Sequence, residues 1–325
     1  MTVLVTGAAG FIGYHVAEAL LAQGEAVIGL DIVSPYYDVR LKEARLERLK
    51  KRPGFTFIKA DIAEHEKLAT TLEPFGPIRR VVHLAAQAGV RYSLDHPFEY
   101  VSANVVGHLA ILEYCRHVEG FEHLVYASSS SVYGGNNKLP FSVEDRVDRP
   151  ISLYAATKRA DELMSHAYAH LYGIPQTGLR FFTVYGPWGR PDMAMFLFAR
   201  AIFAGEPIRV FNKGDMARDF TFVDDIVDGV LAALRTPPGA TVTPPHRVYN
   251  LGNNKREPLL KLIEILEKSI GKKAKQRVEP MQPGDVQATY ADIDAARRDL
   301  GFEPRTPIEV GVPRFIAWYR EYHGV

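Results

Sequence analysis

Tyr154-Ala-Ala-Thr-Lys158 puts a phenol and an ammonium four residues apart. On a helix that spacing sets them on one face, about one turn from each other. A tyrosine alone titrates at about 10 and is a poor base at neutral pH. A cation held close favours the phenolate, and a partly dry site strengthens the coupling. Such a pair can take the proton of a secondary alcohol while a hydride leaves the same carbon. Tyrosine and lysine at this spacing also occur on ordinary helix surface, so the reading needs a hydride acceptor elsewhere in the chain.

The N-terminus offers a place for one. Thr2-Val-Leu-Val-Thr6 is a short apolar, β-branched run of the kind that forms a strand buried on both faces. Gly7-Ala-Ala-Gly10-Phe11-Ile12-Gly13 follows, and a helical pattern runs from Tyr14 through Leu21 to Gly24. Strand, glycine-rich turn and helix N-terminus in this order suit a pyrophosphate, because free N–H groups and the helix dipole meet the anion. Gly7 permits the tight turn, Gly10 lets phosphates approach, and Gly13 lets helix and strand pack closely. Ala26 to Asp31 reads as a second strand ending in an acid, 18 positions after Gly13 (31 − 13). That carboxylate is placed to accept from adenosine ribose hydroxyls and to repel a 2′-phosphate, which favours NAD over NADP.

The elements that position these groups alternate as a parallel, doubly wound α/β sheet with right-handed crossovers requires. Phe55 to Lys59 reads as a third strand, with Asp61 and Ile62 at a tip that reaches adenine. Arg80 to Leu84 reads as a fourth, and small Ala85 and Ala86 follow where a cofactor presses on backbone. His83, inside that run, reads as a packed core histidine. His123 to Ser128 is the next strand and opens into Ser129-Ser130-Ser131-Val-Tyr133-Gly134, hydroxyls at the carboxyl end where such sheets bind ligands. Gln176 to Phe182 is the last clear strand of this half, and Phe182 at its end is assigned to the cofactor. The Lys/Arg-rich helix from Leu41 to Lys51 reads as a solvated face. The helix from Phe98 to Val118 carries few charges and reads as buried twice, against the sheet and against a second subunit.

Beyond Gly186 proline and glycine rise and the alternation becomes irregular, which predicts a smaller C-terminal α/β domain over the substrate. Short strands are expected at 208–211, 218–223 and 248–251, a helix from Asp224 to Leu234 and an amphipathic helix from Glu257 to Ile270. The boundaries read as 1–183 plus 222–251 for the cofactor domain and 184–221 plus 252–325 for the substrate domain.

Composition narrows the class. The 325 residues are 47% hydrophobic and 24% charged, with a net charge of +1, which gives no sign of a nucleic-acid partner or a membrane surface. A single cysteine, Cys115, rules out an internal disulfide and fits a reducing compartment. Met1-Thr-Val reads as the start of a strand and not as a signal peptide, no apolar run approaches the ~18 residues of a membrane helix, and a cytoplasmic protein is expected.

Taken together, Gly7-x-x-Gly10-x-x-Gly13, Asp31, the Ser129 segment and Tyr154-x-x-x-Lys158 resemble the extended short-chain dehydrogenase/reductase family. Within it the chain is more closely similar to the UDP-glucuronate 4-epimerases. Ala86-Gln-Ala-Gly-Val-Arg91-Tyr-Ser, Arg180 to Met193 and Arg218-Asp-Phe-Thr-Phe-Val-Asp224-Asp carry that likeness. The resemblance spans the chain and implies a Rossmann sheet, bound NAD, a UDP-sugar substrate and no metal. By it Ser129, or its neighbour Ser128, hydrogen-bonds the reacting oxygen, with Ser130 beside them; Tyr154 is the acid/base; Lys158 holds the ribose and lowers the tyrosine's pKa. Arg218 suits the pyrophosphate, since a guanidinium grips phosphate oxygens as a fork. Asp285, in Pro283-Gly-Asp285-Val, matches the family's uridine-binding acid, but Gln282 stands where many relatives have a second arginine; Arg190 is the candidate to share that role.

The cofactor and the Tyr/Lys pair permit epimerisation, dehydration or decarboxylation of a UDP-sugar. A 4-keto glucuronate is a β-keto acid, and an epimerase must hold its carboxylate out of alignment with the carbonyl. Arg91, with Thr183 nearby, is the candidate for that hold. The decarboxylating and dehydrating branches place a glutamate two positions before the tyrosine that here is Tyr133, where this chain has Ser131. A serine cannot act as that carboxyl acid/base, so 4-epimerisation of UDP-glucuronate to UDP-galacturonate is the leading expectation. A UDP-glucose/galactose 4-epimerase is the nearer alternative and a non-catalytic NAD-binding regulator the remote one.

Overall fold

A computed structural model describes residues 2–239, 241–281 and 286–325. β1 (Thr2–Thr6), β2 (Ala26–Asp31), β3 (Phe55–Lys59), β4 (Arg80–His83), β5 (His123–Ser129) and β6 (Gln176–Phe181) form most of the central sheet. Short β7 (Thr183–Tyr185), β8 (Pro207–Phe211), β9 (Ala217–Arg218) and β10 (Phe220–Phe222) follow, and β11 (His246–Leu251) returns to the sheet before β12 (Glu257–Pro258) and β13 (Lys275–Glu279). The sheet has seven strands in the order β11-β6-β5-β4-β1-β2-β3. Every pairing in it is parallel. The expected doubly wound α/β architecture is therefore present. The apolar runs of β1 and β5 are covered on both faces, as parallel strands require.

Leu4, Ile111, Leu112 and Tyr126 belong to one apolar cluster, Val5, Ala17, Leu20 and Val227 to a second. The second cluster continues without a break into the C-terminal part through Phe196, Leu262, Phe315 and Trp318. That part is built on helices Ala194–Ala204, Leu259–Ile270 and Ile308–His323 and on the parallel pair β8–β13.

Three local expectations change. Helix Val39–Lys50 is not simply a solvated face, because Arg45 is fully buried. Arg45 donates to the Ala9 carbonyl at 2.8 Å, the Tyr37 hydroxyl at 2.8 Å and the Trp188 carbonyl at 2.5 Å, pinning the glycine turn to the 188–189 loop. Leu41 and Leu49, four residues to either side of it, form the buried stripe in which it lies. The 98–118 segment is an interrupted helix, with a π-turn at Val101–Val106 between Pro97–Tyr100 and Gly107–His117. One side of it packs on the sheet, yet Phe98 is 86% exposed, with Val101 and Leu109 also exposed. The helix expected from Glu257 begins at Leu259, because Glu257 is held in a strand pair with Arg218.

Candidate active site

The carboxyl ends of the central strands and the C-terminal part enclose a cavity of about 1130 Å³. All site residues expected from the sequence line it except Asp285, which, with Gln282, lies outside the described residues.

Its floor is the glycine turn. Gly7 has a φ of +74°, and a Cβ there would sit 2.7 Å from the Ala85 nitrogen. A Cβ on Gly13 would lie 2.1 Å from the Gly7 carbonyl oxygen, and that same oxygen accepts from Gly10 N–H at 2.8 Å. Helix Phe11–Ala22 thus starts as close to β1 as backbone allows, with Phe11 and Ile12 facing the cavity. A side chain is excluded from the turn while helix N–H groups point into it, which fits a pyrophosphate. Asp31 closes β2: its carboxylate accepts from Ala9 N–H at 3.0 Å and Val33 N–H at 2.7 Å. Asp61 accepts from Ala63 N–H at 2.9 Å, and Ile62 packs where a Cβ on Gly107 would meet it at 2.6 Å. Leu84 and Ala85 donate their N–H groups to the Thr6 hydroxyl at 3.2 and 3.1 Å, and the same hydroxyl bonds His83 Nδ1 at 2.7 Å. Burial drives the His83 pKa down to about 3, so the ring is a neutral core histidine, as expected. Ala86 and Phe182 complete the wall.

Helix Leu153–Tyr172 carries the Tyr/Lys pair and begins where Ser152 caps it, accepting from Ala155 N–H at 3.1 Å. Tyr154 is half-buried in an edge-on contact with Tyr100, 6.0 Å between ring centres. Lys158 is buried and donates to the Ala127 carbonyl at 3.1 Å and to the Asp161 carboxylate at 3.0 Å. Asn104, in the π-turn, ties this helix to the loop after β4. It donates to Thr157 Oγ1 at 2.9 Å and to the Gln87 carbonyl at 3.1 Å. Nothing in the sequence reading pointed to Asn104, Thr6 or Asp161.

The serines separate by partner. Ser128 Oγ donates to Glu162 at 2.6 Å, inside a buried network where Arg180 grips both Glu162 oxygens at 2.8 and 2.9 Å. Arg180 and Ser128 hold the Glu162 carboxyl below its usual range against the effect of its burial. Ser129 Oγ donates to Ser131 Oγ at 3.2 Å, and Ser130 lies beside them on the cavity wall. Of the two serines left open by the sequence, Ser128 is thus committed to a buried carboxylate and Ser129 only to a neighbouring hydroxyl.

Among the cationic groups, Arg190 is a paired guanidinium, donating to both oxygens of Asp192 at 3.1 and 2.5 Å. Tyr36 donates to Asp192 at 2.9 Å, and burial with the Asp192 charge pushes its phenol up to about 12. Burial opposes the Arg190 charge, but Asp192, Tyr36 and Tyr154 together raise its pKa, so its field reaches the candidate base. Arg91 is exposed and lies over the Phe211 ring of β8 at 5.3 Å. Arg218 donates to the Ala217 and Gln287 carbonyls at 2.9 and 3.1 Å, and Thr183 stands beside it through Thr183 N–H to Asp219 O at 3.1 Å. Among the described residues no helix is long and apolar enough to cross a membrane, and no cluster of side chains has the makeup of a metal site.

Known proteins share this fold. The chain is 48% identical over 334 residues to UDP-glucuronate 4-epimerase 4 of Arabidopsis thaliana, covering 99% of this chain and 76% of that one. It is 46% identical to a probable UDP-glucuronate 4-epimerase of Rhizobium meliloti, covering 98% of this chain and 97% of that one. The crystal structure of UDP-glucuronic acid 4-epimerase from Bacillus cereus, in complex with UDP-glucuronic acid and NAD, superposes with a TM-score of 0.91 at 35% identity, covering 99% and 100% of the two chains. Residues 3–252 match the NAD dependent epimerase/dehydratase family, and the chain belongs to that family.

Proposed function

We propose that the protein is an NAD-dependent isomerase that converts UDP-glucuronate to UDP-galacturonate by inverting C4. The observation that carries the reading is one cavity in which the glycine turn, Tyr154 with Lys158, Ser129 and Arg190 face the same space. Relatives named for this reaction, at 46–48% identity over nearly the whole chain, support the uronate. The turn from Gly7 to Gly13, Asp31, Asp61, Ile62, Leu84 to Ala86 and Phe182 would hold NAD. When bound, NAD takes the hydride from C4 and returns it. Tyr154 removes the O4 proton in one direction and gives it back in the other, with Ser129 hydrogen-bonded to the same oxygen. Lys158 places its ammonium one helical turn from the phenol, where its field acts on the reacting oxygens. Ser131 supplies no carboxyl group at C5, which leaves dehydration and decarboxylation without an acid/base.

The geometry favours a different division of labour among the arginines from the one expected. Arg190, whose field meets Tyr154, suits the sugar carboxylate, with Thr183 on the same wall. Arg91, over Phe211 at the outer wall, suits the diphosphate together with Arg218. The 1–183 plus 222–251 and 184–221 plus 252–325 division remains our working boundary between cofactor and substrate regions. A homodimer would cover the exposed apolar row of Phe98, Val101 and Leu109 with Leu163 and Leu171 of the neighbouring helix; a monomer mass by light scattering at micromolar concentration would reject it.

The deciding experiment runs purified enzyme in D2O with UDP-glucuronate and, separately, UDP-glucose. We expect UDP-galacturonate without deuterium at C4 or C5. Deuterium at C5 would indicate enolisation, a pentose product decarboxylation, and preference for the neutral sugar the UDP-glucose/galactose reading.

A further inference from the structure

Lys158 is not held by backbone alone. One of its N–H bonds goes to the Ala127 carbonyl at 3.1 Å, and another goes to a carboxylate, Asp161 Oδ2, at 3.0 Å. That carboxylate is fully buried, and its second oxygen, Oδ1, is a buried acceptor with no hydrogen-bond partner. A buried carboxylate with one oxygen unsatisfied is costly, and the fold could have avoided it with a neutral acceptor. The Tyr154–Lys158 chemistry depends on the net positive field at the phenol. A full negative charge in contact with the ammonium bears on that field directly.

We propose that Asp161 is a positioning residue for Lys158: its carboxylate fixes the ammonium under Tyr154 and offsets part of the positive charge that the phenol feels. The inference rests on the Tyr154–Lys158 reading of the site. It predicts a role that depends on the charge state of Asp161 as well as on its hydrogen bond.

The surroundings of Asp161 make that charge state sensitive to pH. On its own helix it faces Lys158 and Glu162. From the 107–117 helix His108 reaches the Asp161 backbone, bonds Ser165 Oγ at 2.8 Å and is kept neutral by burial. From β5 Tyr126 feels the Asp161 charge, and its hydroxyl bonds His246 of β11 at 2.8 Å. From β4 His83 stands within the field of Lys158, and from β6 Arg180 is committed to Glu162. Lys158 is thus the one cation in direct contact with Asp161 among these groups, and burial outweighs it, raising the Asp161 carboxyl to about 6. Above that pH the pair is neutral overall. Below it the positive charge of the ammonium stands unopposed beside the phenol.

Asp161→Asn keeps an oxygen for Lys158 and deletes the charge; Asp161→Leu deletes both. Asn removes a full negative charge from beside the ammonium and the phenol. Both limbs of the bell-shaped pH profile of kcat/KM should therefore move to lower pH, by about one unit. With Leu, activity should fall at every pH. A wild-type profile for Asp161→Asn, or a uniform loss without a shift, would overturn the proposal. If the variants do not fold, carbon NMR of the wild-type protein labelled at aspartate carboxyls decides it. One carboxyl titrating near pH 6 should shift its midpoint in Lys158→Met, and a set of midpoints unmoved by that change would overturn it. Tyr154→Phe tests the underlying reading separately: full activity in that variant would sink the reading, whereas an inactive Tyr154→Phe beside an unshifted Asp161→Asn profile would sink only the inference.

Discussion

Gly13→Ala should abolish tight NAD binding while leaving the protein folded. The added Cβ would lie 2.1 Å from the Gly7 carbonyl oxygen, whereas ordinary contact begins at 3.4 Å, so turn and helix must separate by about 1.3 Å (3.4 − 2.1). Both partners are backbone, and no side-chain rotation can relieve the clash. The separation strains the Gly10 N–H bond to that oxygen and tilts the first turn of helix Phe11–Ala22 away from β1. Overpacking of this kind costs roughly 1–3 kcal/mol of stability, a shift of a few degrees in melting temperature. The effect on cofactor is larger. A displacement of that size removes at least two amide bonds to a phosphate, worth about 1.5–3 kcal/mol each, so affinity should fall by at least about 100-fold. Gly24→Ala provides the control. Gly24 has a φ of +80° with nothing near its Cβ, so alanine there adds backbone strain of about 1–2 kcal/mol but no clash in the turn. Isothermal titration with NAD and a thermal melt should show both variants somewhat destabilised and only Gly13→Ala unable to bind. Binding by Gly13→Ala within twofold of wild type would refute the reasoning.

Asp31→Ala should narrow the preference for NAD over NADP, read as the ratio of their dissociation constants; an unchanged ratio would remove Asp31 from cofactor selection. Arg190→Met, made with Asp192→Asn so that no buried carboxylate is stranded, should lower kcat/KM on UDP-glucuronate by about 10- to 100-fold, while Arg91→Met should act mainly through KM. Wild-type kinetics in the first variant would return the carboxylate to Arg91. Stability should fall on acidification from pH 7 to 5, measured as the denaturant midpoint. Burial holds His15, His123 and His246 at about 4 and His83 at about 3, below the usual 6.5. Only the unfolded chain takes their protons, so each costs stability as pH drops through 6.5 toward its folded value. His108 is likewise held well below 6.5 by burial. Asp161 and Asp219, raised to about 6 by burial, and Asp228, also raised by burial, bind protons in the folded state and act in the opposite sense, but the histidines outnumber them. A midpoint that stays level to pH 5 would contradict these assignments.

The elements that build the cavity floor are local, and the sequence reports them well. The strands at 2–6, 26–31 and 55–59 are each an apolar run closed by a glycine turn or an acid, and each has the expected bounds. Residues whose role depends on distant partners are harder to read. Arg45 looks like one more cation on a charged helix, although its spacing from Leu41 and Leu49 already sets it in the apolar stripe. Ser128 and Ser129 are adjacent and chemically identical; Glu162 and Arg180, 34 and 52 positions away (162 − 128 and 180 − 128), draw the first inward and leave the second to the cavity. Arg91 owes its neighbour Phe211 to the packing of distant β8, whereas the partner of Arg190, Asp192, is only two residues on. Asp161 is the extreme case. It lies three residues after Lys158 on a helix, a spacing whose ion pairs on an exposed surface are worth only a few tenths of a kcal/mol. What changes its meaning is the sheet on one side and the 107–117 helix on the other, which together remove water from both charges. Sequence spacing can say that two groups meet. How strongly they act on each other depends on the dielectric around them, and distant parts of the chain supply that.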